Sequence, residues 1–152
     1  MKKYNKIIFI CDSGTARAPM AEAILKEYTI KYPIEIESRG LVVLFPEPLN
    51  QKTEAVLISN GINIGKHMSK QLLEEDVVPE NLIITMEETQ RQKILKDYET
   101  EGVDVEVLTE LTGDELEIIN PYGGTLQSYG LCYETLNKTI RKLVNLINEG
   151  ET

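Results

Sequence analysis

The sequence predicts a single α/β domain, three layers thick, in which a parallel β-sheet carries helices on both faces. Short apolar or β-branched runs alternate along the chain with longer segments whose apolar residues recur every three or four positions. Parallel strands need helical connections of that kind, so the alternation indicates βαβ units. The length of 152 residues fits one domain, predicted to span residues 1–152.

Four segments are predicted strands. Residues 4–10, YNKIIFI, form a β-branched and aromatic run, and NLIITM at 81–86 and VDVEVL at 103–108 are short apolar runs of the same buried type. Residues 34–38, IEIES, alternate strictly between apolar and polar side chains, which is typical of a strand exposed on one face.

The segments between the strands are predicted to be helical. The first helix begins at Pro19, a residue that suits a first turn, and continues to about Tyr32. QKTEAVLISNG at 51–61 predicts a short helix that stops at its Asn-Gly pair, and SKQLLEEDV at 69–77 predicts one or two helical turns. EETQRQKILKDYE at 87–99 predicts an amphipathic helix with many charges.

The last helix has the most regular apolar pattern of the chain. A polar loop that runs to NPYGG at 120–124 precedes it. Cys132 falls on the apolar side of this helix and is predicted to be a core residue. The apolar stripe recurs at spacings of four and three and consists of Tyr129, Tyr133, Leu136, Ile140, Leu143 and Ile147.

Charge and composition exclude several function classes. The chain has 16 Lys and Arg against 25 Asp and Glu, a net charge of −9, which argues against nucleic acid and membrane as partners. Two distant cysteines and one histidine are too few for a disulfide framework or a zinc cluster, so no metal and no cofactor is expected. The apolar run at the start is too short for a signal peptide or a membrane span, so a cytoplasmic location is expected.

The loop from Cys11 to Arg17 is the candidate functional site. It follows the first strand, contains Gly14 and leads into a helix, at the edge of the sheet where α/β folds bind ligands. The amides of such a turn can cradle an anion, an arginine fork can grip phosphate, and a cysteine at the base would be a thiolate of lowered pKa. This predicts phosphoryl transfer through a phosphocysteine. Cys-x5-Arg alone is a weak pattern, and a merely buried Cys11 remains the alternative.

Three motifs in this order resemble the low-molecular-weight protein tyrosine phosphatases. FICDSGTARAPMAEAIL at 9–25 resembles the family's phosphate-binding loop (P-loop), ESRGL at 37–41 resembles its S-A-G after the second strand, and NPYGG at 120–124 stands where the family has D-P-Y or D-P-F-G-G. The resemblance covers most of the chain. It implies the phosphotyrosine protein phosphatase I-like fold, with four parallel strands in the order 2-1-3-4 and helices on both faces.

The resemblance also implies roles for individual residues. Cys11 would be the nucleophile and Arg17 the phosphate clamp, and Asn120 stands at the position of the family's general acid. Tyr122 and Phe45 would be aromatic walls of the substrate site. The backbone of the loop would bind phosphate through Asp12, Ser13, Gly14, Thr15, Ala16 and Arg17.

Two departures from the family predict a lower activity. An amide at Asn120 cannot supply the proton that a leaving group needs, and general acid catalysis is typically worth about 10²–10⁴ in rate. Ala18 replaces a hydroxyl that would hydrogen-bond the thiolate, an interaction worth about 1.5–3 kcal/mol. Losing most of it would slow the departure of Cys11 from phosphorus by about one to two decades.

Two further departures lie inside the loop. Asp12 adjoins the nucleophile: pointing inward it would raise the thiol pKa and repel phosphate, and pointing outward it would have little effect. Ser13-Gly14 replaces Gly-Asn, and a glycine readily adopts the left-handed backbone conformation, so this exchange is expected to be tolerated.

Thr15 points to a branch of the family. The bacterial protein-arginine phosphatases resemble this chain at Thr15, where tyrosine-specific members usually have a larger aliphatic residue, and a threonine hydroxyl could favour a guanidinium over a phenol. Ala16 replaces a second loop cysteine of many members, so a local redox switch is not expected. His67 is predicted to be a surface or helix-entry residue.

Two functions follow as hypotheses. In the first, the chain is a phosphatase that acts on phosphotyrosine, phosphoarginine or a small phosphate ester, with inorganic phosphate or sulfate also binding in the loop. In the second, it is a catalytically impaired relative that binds phosphate groups as a regulatory protein. Cys11 and Arg17 favour the first, because a pure binding module has no use for a nucleophile, whereas Asn120 and Ala18 favour the second.

Overall fold

Four strands form one parallel sheet in this computed structural model, which describes residues 1–149; residues 150–152 of the predicted domain lie outside that range. The strands are β1 (Lys6–Cys11), β2 (Glu35–Gly40), β3 (Asn81–Thr85) and β4 (Asp104–Val107). Their order across the sheet is β2-β1-β3-β4, and each neighbouring pair is parallel. The predicted fold class, strand order and strand positions are confirmed.

Helices connect the strands, as expected for βαβ units. Glu74–Asp76 forms a single 3-10 turn within the segment where one or two helical turns were expected. The α-helices within the described residues are α1 (Arg17–Leu25), α2 (Gln51–Ser59), α3 (Glu88–Asp97), α4 (Leu108–Thr112) and α5 (Leu126–Glu149).

Helix α1 is shorter than predicted. It ends at Leu25, whereas the sequence predicted a helix over 19–32. The N–H groups of Glu27 and Tyr28 bond to carbonyls three residues earlier, at 3.0 and 3.1 Å, which ends the α pattern. The β-branched pair Thr29-Ile30 then disfavours a renewed helix.

Helix α4 lies where the sequence predicted a polar loop. It follows β4 directly, and its Leu108 and Thr109 are buried. Gly113, with φ +77°, ends it in the left-handed conformation. A five-residue helix is too short to show a helical period, which explains why the pattern missed it.

The central strand β1 supplies apolar side chains to both faces of the sheet. Ile7, Phe9 and Cys11 belong to a large core that also contains residues of α1 and α5, and Ile8 and Ile10 belong to a second core with residues of α3. Because successive side chains of β1 point to opposite faces of the sheet, helices pack on both faces, and the domain has three layers. It also places the Cys11 side chain on the face that α1 covers.

Helix α5 buries the predicted apolar stripe, apart from the half-buried Tyr133. Cys132 is buried in the same core, which confirms the prediction made for it. Within the described residues, no helix combines the length and the apolar character that crossing a bilayer would take.

Candidate active site

The loop Cys11–Arg17 leaves β1 at its carboxyl end and turns directly into α1. Hydrogen bonds to its carbonyl groups hold it in place. The N–H of Leu41 donates to the carbonyl of Cys11 at 3.0 Å, and the N–H of Asn50 donates to the carbonyl of Thr15 at 3.0 Å. Because the loop is anchored through carbonyl groups, its amides can serve an anion.

The Cys11 thiol lies at the base of this loop and is 3% exposed. Its Sγ accepts a hydrogen bond from the N–H of Ala18 at 3.4 Å. Burial raises the pKa of the Cys11 thiol, and the amides of Ala18, Gly14 and Ala16 and the charge of Arg17 oppose that rise without reversing it. The sequence predicted a lowered pKa. That prediction is wrong for this structure, because complete burial outweighs the donors around the sulfur.

The Arg17 guanidinium is 2% exposed and fixed by two partners. Nη1 donates to the carbonyl of Ile118 at 2.8 Å, and Nη2 donates to Glu87 Oε2 at 2.6 Å. These bonds use two of the five N–H groups of a guanidinium.

Gly14 allows the loop to lie against the end of β2. Its φ is +73°, and a Cβ atom at this position would lie 2.9 Å from the backbone nitrogen of Gly40. The expected left-handed glycine is therefore found, and the close approach requires it as well. A ring nitrogen of His67 lies 2.9 Å from the Gly14 carbonyl oxygen, so the half-buried His67 supports the loop. It was predicted to be a surface or helix-entry residue, and the segment that directly follows it is not helical.

Replacing Gly14 by alanine is expected to destabilise the fold by more than about 2 kcal/mol and to lower kcat/KM at least tenfold, because the new methyl group displaces the loop. Gly65→Ala is the matched control, since Gly65 has φ +68° and a Cβ atom there would have nothing within 4 Å. Denaturant unfolding and turnover of an aryl phosphate measure both effects. Equal destabilisation by the two variants would contradict the role of the close contact between Gly14 and the backbone of Gly40.

A cavity of about 350 Å³ opens beside the loop. It is lined by every loop residue from Cys11 to Arg17 except Gly14, and by Glu47, Asn120 and Tyr122. The structure thus brings Cys11, Arg17, Asn120 and Tyr122 to one place. Phe45, the other predicted wall, is 66% exposed and does not line the cavity.

Asn120 and Tyr122 form one short turn at the rim of the cavity. Asn120 Oδ1 accepts a hydrogen bond from the backbone N–H of Tyr122 at 3.1 Å. Tyr122 is 81% exposed, so it is available to a ligand and does not serve core packing. Asn120 lies at the rim but offers an amide, which donates hydrogen bonds and not a proton.

Asp12 also lies at the rim, where Gln90 and Arg17 are the neighbours of its carboxylate. Its Oδ1 accepts a hydrogen bond from Gln90 Nε2 at 3.1 Å, and its Oδ2 lies 3.9 Å from Arg17 Nη2. The side chain remains 64% exposed. The carboxylate therefore borders the cavity near the arginine while staying open to solvent.

The hydroxyl groups of Ser13 and Thr15 lie 2.7 Å apart and hydrogen-bond each other. Ser13 Oγ also accepts from the N–H of Thr15 at 3.3 Å. Both residues line the cavity. Thr15 therefore lies where a hydroxyl could contact a leaving group.

Sequence reasoning missed three acidic or amide residues around the loop. Glu87 and Gln90 follow β3, whose carboxyl end meets that of β1 at one sheet edge, so strand topology was a usable signal for them. Gln90 Oε1 accepts from the N–H groups of Met86 and Glu87 at 3.0 Å each, which holds its amide toward Asp12. Glu47 lies in a loop with no regular pattern and gave no signal.

Replacing Ala18 by serine is expected to speed phosphoenzyme breakdown by about one to two decades, because the added hydroxyl can hydrogen-bond the departing thiolate of Cys11. In the structure, the backbone N–H of Ala18 donates a hydrogen bond to Cys11 Sγ. Ala21→Ser is the control, since Ala21 is equally buried in α1. Rapid-mixing measurement of phosphoenzyme decay tests it, and an unchanged decay rate in Ala18→Ser would contradict the role of the missing hydroxyl.

Residues 1–149 contain no cluster of three or more His, Cys, Asp or Glu side chains arranged for a metal ion. Cys11 and Cys132 are both free thiols. Burial raises the pKa of Cys132 to about 11, which is in keeping with an inert core residue.

Comparisons with known proteins agree with this geometry. A sequence model of the family described as "Low molecular weight phosphotyrosine protein phosphatase" matches residues 6–152. The low molecular weight protein-tyrosine-phosphatase PtpB of Staphylococcus aureus is 30% identical over 142 residues, which is 93% of this chain and 99% of that protein.

Solved structures of similar fold include the following two. The low molecular weight protein tyrosine phosphatase from T. tengcongensis has a TM-score of 0.85 and 28% identity, covering 93% of this chain and 98% of that one. The YwlE arginine phosphatase from Geobacillus stearothermophilus has a TM-score of 0.87 and 24% identity, covering 95% and 94%. At the latter identity the likeness concerns the fold.

Proposed function

Because the chain belongs to the low-molecular-weight phosphotyrosine protein phosphatase family, we propose that it hydrolyses phosphorylated protein side chains through a phosphocysteine formed on Cys11. Members of this family are phosphatase enzymes. The observation that carries the proposal is that Cys11 and a firmly held Arg17 line the same cavity at the end of a loop that leads into a helix.

The first step transfers the phosphoryl group to the protein. The substrate phosphate sits on the loop amides, and Arg17 grips it with N–H groups that Ile118 and Glu87 do not use. Burial favours the protonated Cys11 thiol, so its proton first passes to an oxygen of the bound phosphate or to water. Sγ then forms a bond to phosphorus while the bond from phosphorus to the leaving atom breaks. The leaving atom keeps the electron pair and takes up a proton.

The second step releases inorganic phosphate. A water oxygen bonds to phosphorus, the S–P bond breaks, and Cys11 keeps the electron pair as thiolate. The protons of the water stay on the released phosphate or pass to solvent. In the first step the Asn120 amide at the rim cannot supply the proton that the leaving atom takes up. The rate is therefore expected to depend strongly on how well the leaving group departs without help.

A second candidate function is that of a phosphate-binding regulatory protein with little or no turnover. Asn120 at the rim and the absence of a hydroxyl on Ala18 favour it, because the first weakens attack and the second weakens release. Both candidates share the same loop, and they differ in whether phosphoenzyme forms and decays.

Different residues of the cavity support two substrate classes, phosphotyrosine and phosphoarginine. The hydroxyl of Thr15 in the cavity supports a guanidinium-bearing substrate, and the exposed ring of Tyr122 suits stacking on a phenol. Binding of inorganic phosphate or sulfate in the loop and a cytoplasmic location stay predictions.

Turnover of aryl phosphates with a graded series of leaving-group pKa values tests the proposal. We expect measurable hydrolysis of the best leaving groups and a steep decline toward poor ones, since Asn120 cannot assist departure as an acid. Phosphotyrosyl and phosphoarginyl peptides of one sequence then compare the two substrate classes. No turnover of even the best leaving group, together with measurable phosphate binding, would favour the regulatory function.

A further inference from the structure

The charges that line the cavity are unusual for a site that binds an anion. Arg17 is the one positive side chain among the lining residues of the described chain, and Glu87 pairs with it at 2.6 Å. Asp12 and Glu47 add two carboxylates to the same lining. A substrate phosphate therefore enters a cavity whose arginine is already paired and whose rim is negative.

The position of Asp12 at the rim is fixed by its neighbours. Gln90 donates to Oδ1 at 3.1 Å, and Gln90 is itself held by the N–H groups of Met86 and Glu87. Arg17 lies 3.9 Å from Oδ2, longer than a hydrogen bond. With 64% of the side chain exposed, the carboxylate can meet a second positive group that comes with a ligand.

The position of Glu47 is fixed through its backbone. Its N–H donates to Ser69 Oγ at 2.9 Å, and its carbonyl accepts from the N–H of Ser69 at 2.8 Å. Three residues later, Asn50 bonds to the Thr15 carbonyl, which joins this segment to the phosphate loop. Within residues 1–149, no Lys or Arg nitrogen forms an ion pair with the Glu47 carboxylate.

We propose that Asp12 and Glu47 are specificity-determining residues that select phosphorylated side chains flanked by lysine or arginine. This inference rests on the proposed phosphatase function and names its substrate class. A peptide with positive flanking residues would compensate the two rim carboxylates, whereas acidic flanking residues would add repulsion. Exposed ion pairs are weak, so each carboxylate is expected to contribute about a two- to fivefold preference.

The test uses two phosphotyrosyl peptides of equal length, one with lysines and one with glutamates beside the phosphorylated residue. We expect the wild-type kcat/KM to favour the lysine peptide severalfold at low ionic strength and less at high salt. Asp12→Asn and Glu47→Gln should each reduce that ratio about two- to fivefold. Because the readout is a ratio, a change in the basal rate does not affect it.

Glu54→Gln is the matched control, since Glu54 is an exposed carboxylate on α2 outside the cavity lining. It removes one negative charge from a chain of net charge −9 without changing the rim. A wild-type ratio near one, hydrolysis of neither peptide, or an equal fall in the ratio for Glu54→Gln would overturn the inference. Turnover of 4-nitrophenyl phosphate separates the two proposals: if it is hydrolysed, only the rim selectivity has failed.

Discussion

Replacing Cys11 by serine is expected to lower turnover of any aryl phosphate more than about a thousandfold. A serine hydroxyl stays protonated at neutral pH, which slows attack on phosphorus, and its oxygen departs poorly from phosphorus, which slows release of phosphate. The loop amides and Arg17 remain, so binding of inorganic phosphate should persist. Steady-state kinetics and calorimetric titration with phosphate measure the two properties separately.

The control for Cys11→Ser is Cys132→Ser. Both cysteines are buried and free, and both belong to the same core, so the structural cost of the exchange is comparable. Cys132→Ser should keep its turnover after any loss of stability is taken into account. Residual turnover in Cys11→Ser close to that of the wild type would exclude the phosphocysteine route.

Replacing Asn120 by aspartate is expected to raise turnover of poor leaving groups by about 10²–10⁴ and to leave good ones little changed. Asn120 already lines the cavity and its side chain is held by the Tyr122 N–H, so a carboxyl group there could donate a proton to the leaving atom. The dependence of rate on leaving-group pKa should flatten. Activity should also fall as pH rises through the pKa of the new carboxyl group, because only its protonated form is an acid.

Asn145→Asp is the control for this gain, because it adds the same charge on an exposed turn of α5, away from the cavity. A third carboxylate at the rim also repels phosphate, so KM is expected to rise in Asn120→Asp while kcat increases. An unchanged slope of rate against leaving-group pKa would show that residue 120 is not placed to donate a proton.

The sequence predicted the sheet and the core of the site because both depend on local patterns. The strands and α5 have strong apolar periods, and the Cys11 to Arg17 spacing lies between a strand and a helix. The ends of α1 were missed because hydrogen bonds near Leu25 end the helix, and the apolar pattern of the sequence does not show them. Helix α4 was missed because five residues are too few to show a helical period of apolar side chains.

The thiol pKa and the acidic surroundings of the loop could not be derived from local sequence. Glu87 is 70 residues from Arg17 along the chain, and only the packed sheet brings the two together. Glu47 reaches the cavity through an irregular loop held by Ser69. The orientation of Asp12 likewise depends on Gln90, which belongs to helix α3.

The two contacts of Arg17 also bear on when the site forms during folding. The Ile118 carbonyl is 101 residues away from Arg17 in the chain, and Glu87 is 70 residues away. Contacts over such separations close large loops and form late. On the ribosome, the N-terminal segment that holds both ends of the loop is made first, yet its arginine is not positioned until residue 118 has been synthesised and packed. The fully positioned Arg17 that the phosphate site requires therefore cannot precede the synthesis of residue 118.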